Sequence, residues 1–416
     1  MEKSSFNKIR DKILSFLKIL IKLLLNFVNQ VKNKFIKTNH KIYLSLGSNL
    51  GNKFENLQLA VNAIFKEIGS IKKIAPIFET PAMGFEGKNF LNCVIQVETN
   101  QSATLVLDTI LSIETKLGRV REEKLGYSSR KIDIDMLFYD DAIINTKSLI
   151  IPHPEIQNRK FVLAPLELIS PDFIHPILNK SISKILEVTL DNSELIKYSK
   201  WLRNPILDFD MSKFRYVAIE GNIGAGKTSL ATQLASDFNT KLVLERFKEN
   251  PFLPEFYKDP DRFAFPLEMS FLADRYQQLL DDLTQYDLFK ENVIGDYDAY
   301  KSLIFAKITL QEQEFILYKK LYQITHKELP KPDAYVYLYQ NTERLLQNIK
   351  NRGRDFEQEI EASYLQKINE GYMEFIKNQH IDTIKIIDIS EMDFVNNRFD
   401  YIQVLNIITN STTSTI

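Results

Sequence analysis

Hydrophobic and polar positions alternate differently in three parts of the chain. In residues 13–28 the polar positions recur every three or four residues along an otherwise apolar segment, which predicts an amphipathic helix with a narrow polar stripe. From Lys41, short apolar runs and helical periodicity follow in the order β-α-β-β-α-β, the split βαβ arrangement. From Arg215, five short apolar strands alternate with helical stretches, which predicts a parallel sheet with helices on both faces.

These patterns predict two folded domains, and a length of 416 residues suits roughly two to three. The first is expected to be a ferredoxin-like α+β domain and the second an α/β domain. The expected divisions are a basic leader at 1–40, the first domain at 41–200, a linker at 201–213, the second domain at 214–400 and a C-terminal tail at 401–416.

Charge is distributed unevenly between the leader and the domains. Lys and Arg number 53 and Asp and Glu number 54, a net charge of −1, yet residues 1–41 hold ten basic and two acidic side chains, so the remainder is acidic. An acidic folded part argues against a nucleic-acid partner. The single cysteine, Cys93, cannot form an intrachain disulfide, and we expect a cytoplasmic protein.

The leader does not fit a membrane span or a secretory signal. Lys18 and Lys22 interrupt the apolar segment before it reaches the roughly 20 residues that a span requires. No small-residue cleavage site follows it. A basic amphipathic helix can lie weakly on a membrane surface. A partner-binding helix, or a leader without function that results from a start codon assigned too early, fits the same pattern.

A phosphate-binding loop begins the second domain. The segment GNIGAGKT, residues 221–228, fits G-x-x-x-x-G-K-[ST] and lies between a predicted strand and a predicted helix, the context that this motif requires. Backbone N–H groups of such a loop bind phosphate, its lysine contacts the β and γ phosphates, and its threonine offers a hydroxyl to Mg2+. The predicted ATP-binding residues are Gly221, Asn222, Gly224, Ala225, Gly226, Lys227 and Thr228.

Charged residues after the later strands supply candidate chemistry. Glu245 and Asp296 follow the second and third strands, where ligands of an open parallel sheet bind, and predict a general base and a metal ligand. Arg344, Arg352 and Arg354 lie around a glycine, which suits a lid that places cations over a transferring phosphoryl group. A helix cap for the acids, or a solvated basic helix face for the arginines, is the structural alternative.

From Phe214 to about Gln379 the chain resembles the deoxyribonucleoside kinases. The resemblance is carried by the phosphate-binding loop, the Glu-Arg pair after the second strand, YKDPDRFAFPLEMSFLADR and RGRDFE. It implies that Glu245 takes the proton from the 5′-hydroxyl, that Tyr257 and Glu357 hold the 3′-hydroxyl of deoxyribose, and that Arg275 lines the base pocket. It also implies a homodimer formed through helices of this domain.

Two positions depart from that family. Glu268 stands where a glutamine commonly reads the nucleobase, and a carboxylate only accepts hydrogen bonds, so it favours bases with amino donors and penalises thymine. We expect deoxyadenosine as substrate, deoxyguanosine second, with deoxycytidine left open. The family's Glu-Arg-Ser run is Asp296-Tyr297-Asp298 here, so the missing cation has to come from the lid or from Lys301.

The first domain contains paired aspartates in KIDID. Asp133 and Asp135 lie at i and i+2 of a strand, about 6.6 Å apart on one face. Two hard oxygen ligands suit a pair of Mg2+ ions that bridge a triphosphate. Basic residues immediately upstream, among them Arg119, Arg121 and Arg130, provide cations for phosphates.

Residues 41 to about 190 resemble hydroxymethyldihydropterin pyrophosphokinase, an enzyme of folate synthesis. The matching stretches are YLSLGSNLGN, ETPAMG, FLNCV, IETKLGRVR, RKIDIDML and IPHPEIQNRKFVLAPL. The resemblance implies two Mg2+ ions on Asp133 and Asp135, and a pterin held between Phe90 and Phe161 with its amide edge on Asn92 and the backbone near Met83. The residues that it places against ATP or the transferred pyrophosphoryl group are Glu114, Arg119, Arg121, Arg130, His153 and Arg159, with Arg119, Arg130 and His153 catalytic.

The loop before Arg130 departs from this second family. Many members carry Trp-Gly-Pro there, whereas this chain has GYSS, so the contacts that close the loop over adenine are not predicted. His153 lies between two prolines, and a loop-bracing role is the alternative to catalysis.

Together the two halves predict a bifunctional enzyme. The first half would transfer a pyrophosphoryl group from ATP to a hydroxymethyldihydropterin with two Mg2+ ions. The second would phosphorylate the 5′-hydroxyl of a deoxyribonucleoside with ATP and one Mg2+ ion. The alternative is that one half has lost catalysis and serves as a nucleotide-binding scaffold, with the second half the candidate because it lacks the family's arginine.

Overall fold

The computed structural model describes residues 39–119, 128–247, 250–284, 292–327, 329–378 and 384–410. Residues 1–38 of the basic leader and the predicted nucleotide contact Arg121 lie outside the described residues, and His40, counted with the leader, begins the first strand. The chain forms two compact units that divide between Asn204 and Pro205, inside the predicted linker. The prediction of two folded domains is therefore confirmed.

An antiparallel sheet forms the centre of the N-terminal unit. Its strand order is β5-β1-β4-β3-β8, and β2 pairs with β4 as well. The main strands are β1 (His40–Ser48), β2 (Ser70–Ile74), β3 (Phe78–Thr80), β4 (Phe90–Thr99), β5 (Asp133–Tyr139) and, after the short hairpin of β6 (Ile144–Asn145) and β7 (Ile150–Ile151), β8 (Ile196–Lys197). The helices are α1 (Lys53–Glu67), α2 (Ala103–Lys116), α3 (Lys160–Ile169) and α4 (Ile182–Val188).

Side-chain caps and alternating burial explain why these segments fold as they do. Asn52 and Ser102 accept hydrogen bonds from the first turns of α1 and α2, as helix N-caps do. In β5, Ile134 and Met136 are buried while Asp133 and Asp135 on the other face are only partly covered. This alternation places both carboxylates on the side of the sheet away from the core.

Five parallel strands form the sheet of the C-terminal unit, as predicted. The order is β10-β11-β9-β12-β13, with β9 (Tyr216–Gly221), β10 (Lys241–Val243), β11 (Val293–Gly295), β12 (Ala334–Tyr339) and β13 (Ile384–Asp388). The helices are α5 (Lys227–Phe238), α6 (Leu253–Lys258), α7 (Pro260–Thr284), α8 (Tyr300–Thr309), α9 (Glu312–Thr325), α10 (Thr342–Arg352), α11 (Ala362–Lys377) and α12 (Arg398–Thr409).

Several sequence predictions need correction. The single strand expected across residues 71–80 is divided into β2 and β3, and the sequence pattern did not indicate β8. Strand β10 ends at Val243, so Glu245 lies in the loop that follows it. The tail predicted from residue 401 is wrong as far as Thr409, because α12 continues there and buries Tyr401, Val404, Leu405 and Ile408.

None of the helices in the described ranges is long and apolar enough to span a lipid bilayer.

Helix α12 should contribute to the stability of the C-terminal unit. Leu405 is fully buried, so Leu405→Ala should lower the free energy of unfolding by about 2–5 kcal/mol, the usual cost of truncating a packed leucine. Urea denaturation of the full chain measures this change. The matched control is Asn406→Ala at the next, exposed position of the helix, expected to change stability by less than about 0.5 kcal/mol. Equal losses in both variants would contradict the assignment.

Candidate functional sites

A cavity of about 820 Å3 in the N-terminal unit collects the predicted pyrophosphokinase residues. Strands β1, β4 and β5 and the segments that follow α2 and β7 line it. The lining includes the predicted residues Met83, Phe90, Asn92, Glu114, Arg119, Arg130, Asp133, Asp135, His153, Arg159 and Phe161. The structure therefore brings together the described members of the set, which the sequence spreads over about 80 positions.

The two aspartates of β5 differ in their partners. Asp133 Oδ1 accepts hydrogen bonds from Arg119 at 2.6 Å and Arg130 at 2.9 Å, whereas Asp135 Oδ2 lies 3.9 Å from an Arg159 nitrogen. Burial, followed by the charge of Asp133, raises the pKa of Asp135 to about 7. A dication between the carboxylates would remove this repulsion, and the hard oxygen donors fit Mg2+.

Glu114 holds the arginine side of the cavity in place. The carboxylate is buried, pairs with the Arg119 guanidinium and accepts the backbone N–H of Ile134 at 2.8 Å. This carboxylate therefore links the end of α2 to the start of β5. Its predicted contact with the nucleotide would act in addition to this structural role.

The opposite side of the cavity presents groups suited to a flat heterocycle. Asn92 donates its amide N–H to Thr80 Oγ1 at 2.8 Å, which fixes the orientation of its carbonyl oxygen. A side chain at Gly47 would place a Cβ 3.0 Å from that oxygen, so glycine keeps this part of the cavity open. Phe90 lies beside Asn92 on β4, and Phe161 is approached by the Arg159 guanidinium at 5.9 Å.

His153 and Cys93 have contacts that match their structural interpretations. His153 Nδ1 accepts the backbone N–H of Glu155 at 3.2 Å, and burial together with Arg159 lowers its pKa, so the ring is neutral at neutral pH. It also lines the cavity, so the structure leaves both interpretations of His153 standing. Cys93 points to the core, donates to the Ala75 carbonyl at 3.2 Å, and burial raises its pKa to about 12.

Asn49 supports the site through its contact with Arg130, and sequence reasoning missed it. Its Oδ1 accepts the backbone N–H of Arg130 at 2.7 Å, and its own N–H donates to the Arg130 carbonyl at 3.1 Å. Its Nδ2 donates to the Lys88 carbonyl at 3.2 Å and to Ser129 Oγ at 3.0 Å. Asn49 thus links Ser129 and Arg130 to Lys88, in the segment that leads into β4.

In the C-terminal unit, the phosphate-binding loop has the backbone that its sequence predicts. Gly224 and Gly226 have φ of 86° and 81°, the left-handed region that favours glycine. A Cβ on Gly226 would lie 2.8 Å from the Phe394 ring. Lys227 Nζ donates to the carbonyls of Gly221 at 2.9 Å and Asn222 at 2.8 Å, so it is folded over its own loop.

The Asn222 side chain supports the loop from behind. Its Nδ2 donates to the Leu365 carbonyl at 2.7 Å and to Asn369 Oδ1 at 2.8 Å, and its Oδ1 accepts the N–H of Ile223 at 2.8 Å. The prediction that Asn222 binds ATP is therefore corrected for its side chain, because that group is fully engaged with α11 and the loop.

Asp296 connects the phosphate-binding loop to Glu245. Its Oδ2 accepts from Thr228 Oγ1 at 2.5 Å and its Oδ1 accepts the N–H of Glu245 at 2.8 Å. Burial raises the pKa of Asp296. The two predicted metal ligands of this unit, Thr228 and Asp296, thus lie together, and their oxygen donors fit Mg2+.

Two cations hold the carboxylate of Glu245. Arg275 approaches Oε1 through Nε at 2.9 Å and Nη2 at 2.7 Å, and Lys301 Nζ lies 2.6 Å from Oε2. Burial opposes ionisation, but Lys301 and Arg275 together overcome it and lower the pKa of Glu245 to about 2. Glu245 is therefore ionised throughout the physiological pH range.

The predicted lid arginines and the predicted sugar-binding residues form one cluster. Arg352 and Arg354 both bind the buried carboxylate of Glu357, the latter at 3.0 Å. Tyr257 stacks on Phe356 with ring centroids 6.1 Å apart. These pairs with a buried acid argue against a purely solvated face, although Arg352 remains exposed. The guanidinium of Arg344 donates to Gln347 at 3.2 Å.

Metal binding in either unit would rely on few protein ligands. Within the described part of the chain, no cluster of three or more His, Cys, Asp and Glu side chains could hold an ion. This matches the usual Mg2+ site of phosphoryl-transfer enzymes, where one or two protein ligands are completed by phosphate and water.

The folds and sites define a nucleotide-dependent phosphotransferase in each unit, and known proteins specify the families. The model of the 7,8-dihydro-6-hydroxymethylpterin-pyrophosphokinase family matches residues 43–171, and that of the deoxynucleoside kinase family matches residues 217–413. Among relatives, deoxyguanosine kinase of Bacillus subtilis is 40% identical over 195 residues, 46% of this chain and 94% of that protein. Deoxyadenosine kinase of Dictyostelium discoideum is 33% identical over 178 residues, 41% of this chain and 71% of that protein.

The N-terminal unit has its own relatives. The 2-amino-4-hydroxy-6-hydroxymethyldihydropteridine pyrophosphokinase of Aquifex aeolicus is 38% identical over 144 residues, 34% of this chain and 88% of that protein. Folic acid synthesis protein fol1 of Schizosaccharomyces pombe is 37% identical over 164 residues, 39% of this chain and 22% of that longer protein. The chain therefore belongs to both families, the pyrophosphokinases through its N-terminal unit and the deoxynucleoside kinases through its C-terminal unit.

Loss of the Asn49 side chain should loosen the backbone at Ser129 and Arg130. We expect Asn49→Ala to lower the rate of AMP release from ATP and pterin by about tenfold to a hundredfold, because a misplacement of about 1 Å costs that much. Steady-state kinetics of the full chain measure the effect. Asn52→Ala, which removes an exposed helix cap only three residues away, is the control and should retain most activity. A loss of equal size in both variants would refute the positioning role.

Proposed function

We propose that the chain is a bifunctional, ATP-dependent enzyme. The N-terminal unit transfers pyrophosphate from ATP to 6-hydroxymethyl-7,8-dihydropterin, with release of AMP. The C-terminal unit transfers the γ-phosphoryl group of ATP to the 5′-hydroxyl of a purine deoxyribonucleoside, deoxyadenosine first and deoxyguanosine second. The observation that carries the proposal is that each unit places acidic, basic and aromatic residues of its family's motifs around one site.

In the pyrophosphokinase site, the pterin ring lies between Phe90 and Phe161 with its amide edge on Asn92. Asp133 and Asp135 hold the two Mg2+ ions, which when bound neutralise charge that develops on the phosphates. Arg119 and Arg130 exchange part of their contact with Asp133 for the transferred group. The ferredoxin-like assignment of this unit is part of the proposal, and the strand order β5-β1-β4-β3 supports it.

In the kinase site, Glu245 orients the 5′-hydroxyl. An ionised carboxylate with a pKa of about 2 accepts a hydrogen bond but is a weak base, so it takes the proton only as the oxygen–phosphorus bond forms and the hydroxyl becomes acidic. Tyr257 and Glu357 hold the 3′-hydroxyl, and Arg352 and Arg354 lie beside them to move onto the phosphates. A homodimer through the helices of this unit completes the proposal.

Lys301 takes the place of the arginine that the family carries after the third strand. It is the side chain that bonds the Glu245 oxygen left open by Arg275. Arg352 and Arg354, the other candidates, bond Glu357 instead. This arrangement argues against a kinase unit that has lost catalysis.

Removal of this ammonium should impair the kinase specifically. Lys301→Met should lower kcat for ADP release by about a hundredfold or more, because the substrate-orienting carboxylate loses a buried partner. With Lys301 gone the pKa of Glu245 rises, so the acid limb of the pH profile should move to higher pH, and Lys301→Arg should restore part of the rate. The control is Lys307→Met, which lies on the same helix as Lys301 and breaks an exposed pair with Glu374 of α11. An unshifted acid limb would count against the role.

The two activities can be separated in the full chain by their products. Asp135→Ala should reduce AMP release with the pterin by about a hundredfold and leave ADP release with deoxynucleosides unchanged, since a metal ligand is lost in one unit only. Lys227→Ala should do the reverse. Each variant is the control for the other, and a panel of four deoxynucleosides ranks the kinase substrates. Absence of ADP release with all four would leave the scaffold interpretation for the C-terminal unit.

A further inference from the structure

Glu268 is a buried carboxyl group with one unsatisfied oxygen. It lies on α7, about two helical turns before Arg275 and on the same face. Its side chain is 2% exposed. Its Oε1 accepts a hydrogen bond from Thr309 Oγ1 at 3.1 Å, while Oε2 is buried without a partner among the described residues. Buried polar atoms are rarely left unpaired, so Oε2 marks a place where a ligand completes the site.

The cations nearest to Glu268 are committed elsewhere. Arg275 directs Nε and Nη2 at Glu245 and Nη1 at Ser302 Oγ, 2.9 Å away. Lys301 also bonds Glu245. Among the described residues, the Glu268 carboxyl group therefore has only the Thr309 hydroxyl as direct partner, and an ionised carboxylate here would be buried without a cation of that part of the chain in contact. Such burial of an unpaired charge is strongly unfavourable, and protonation of the carboxylate avoids it.

Groups from every element packed around Glu268 act on its proton. Arg275 on its own helix and Lys301 on α8 favour ionisation, as does the Thr309 hydroxyl, whereas Glu245 after β10 opposes it. The tyrosines that face it are Tyr257 of α6, Tyr318 of α9 and Tyr364 of α11. Burial is the largest influence, and the balance raises the pKa of Glu268 to about 7.

The two protonation states of a carboxyl group complement different purines. A neutral carboxyl offers one donor and one acceptor, which matches the amino group and adjacent ring nitrogen of adenine. A carboxylate offers two acceptors, which match the ring N–H and amino group of guanine. A site that requires both hydrogen bonds rejects the base that cannot supply them.

We propose that Glu268 binds deoxyadenosine as a neutral carboxylic acid and deoxyguanosine as a carboxylate, so that the proton on this one residue decides between the two purines. The inference rests on the proposed kinase function and refines its substrate preference. In contrast to the expectation from the sequence that Glu268 only accepts hydrogen bonds, a protonated Glu268 also donates one.

Binding of the two nucleosides to the full chain tests the proposal without need of turnover. Between about pH 6 and about pH 8 the neutral fraction of a group with a pKa of about 7 falls from about nine-tenths to about one-tenth. The ratio of deoxyadenosine to deoxyguanosine affinity should therefore fall by about a hundredfold, because the ratio of neutral to ionised Glu268 falls from about 10:1 to about 1:10. Calorimetry at neutral pH in buffers of different ionisation enthalpy should show proton uptake with deoxyadenosine and release with deoxyguanosine.

Glu268→Gln keeps the shape but cannot titrate, so its affinity ratio should not change with pH and its proton linkage should vanish. Glu374→Gln, at an exposed site in the same unit, is the control and should behave as the unaltered chain. A ratio independent of pH in the unaltered chain, or a pH dependence that survives Glu268→Gln, would overturn the proposal. Binding that follows the predicted pattern without ADP release would uphold it and reject catalysis, and no binding of either nucleoside would reject both.

Discussion

The ion pairs of Glu245 with Arg275 and Lys301 are the interaction on which the kinase unit depends. A buried carboxylate has to be neutralised, and here it draws one cation from α7 and one from α8. Its backbone N–H binds Asp296, which also accepts from Thr228, so the same cluster fixes the phosphate-binding loop relative to the position of the nucleoside. Because Arg275 and Lys301 both bond Glu245, the carboxyl group of another buried acid, Glu268, accepts a hydrogen bond only from the Thr309 hydroxyl among the described residues.

The N-terminal unit applies the same constraint with a different result. Asp133 has two arginines in direct contact, while Asp135 has an arginine nitrogen only at 3.9 Å. Burial and the charge of Asp133 raise the pKa of Asp135, so a dication beside Asp135 is favourable. In both units one acid of the site therefore bonds two cations, and a second acid does not.

Local patterns predicted more of the fold than of the sites. Strand alternation, helical periodicity and the glycines at 221, 224 and 226 all act over a few residues, and the strands and the phosphate-binding loop followed from them. The contacts of Asn49 with the Arg130 loop, separated by 81 residues, leave no periodic signal, and neither does the two-residue strand β8. Arg352 and Arg354 bind Glu357, which lies within five residues of both. The family resemblance implies different ligands for them, phosphate for the arginines and deoxyribose for Glu357, so their ion pairs are evident only from the side-chain geometry.

Lys301 and Glu268 are best understood together as departures from the family. An ammonium is a compact charge that satisfies one carboxylate oxygen, whereas a guanidinium can span two groups. Lys301 bonds Glu245 Oε2, and Arg275 bonds Oε1 through two of its nitrogens. The third nitrogen of Arg275 bonds Ser302, so no nitrogen of this guanidinium is directed at Glu268 on the same helix. A glutamine at position 268 would carry no charge that needs a cation, whereas burial raises the pKa of the glutamic acid to about 7. On the proposed function, the pairing of a lysine at 301 with an acid at 268 therefore makes the position proposed to read the base one that titrates near neutral pH.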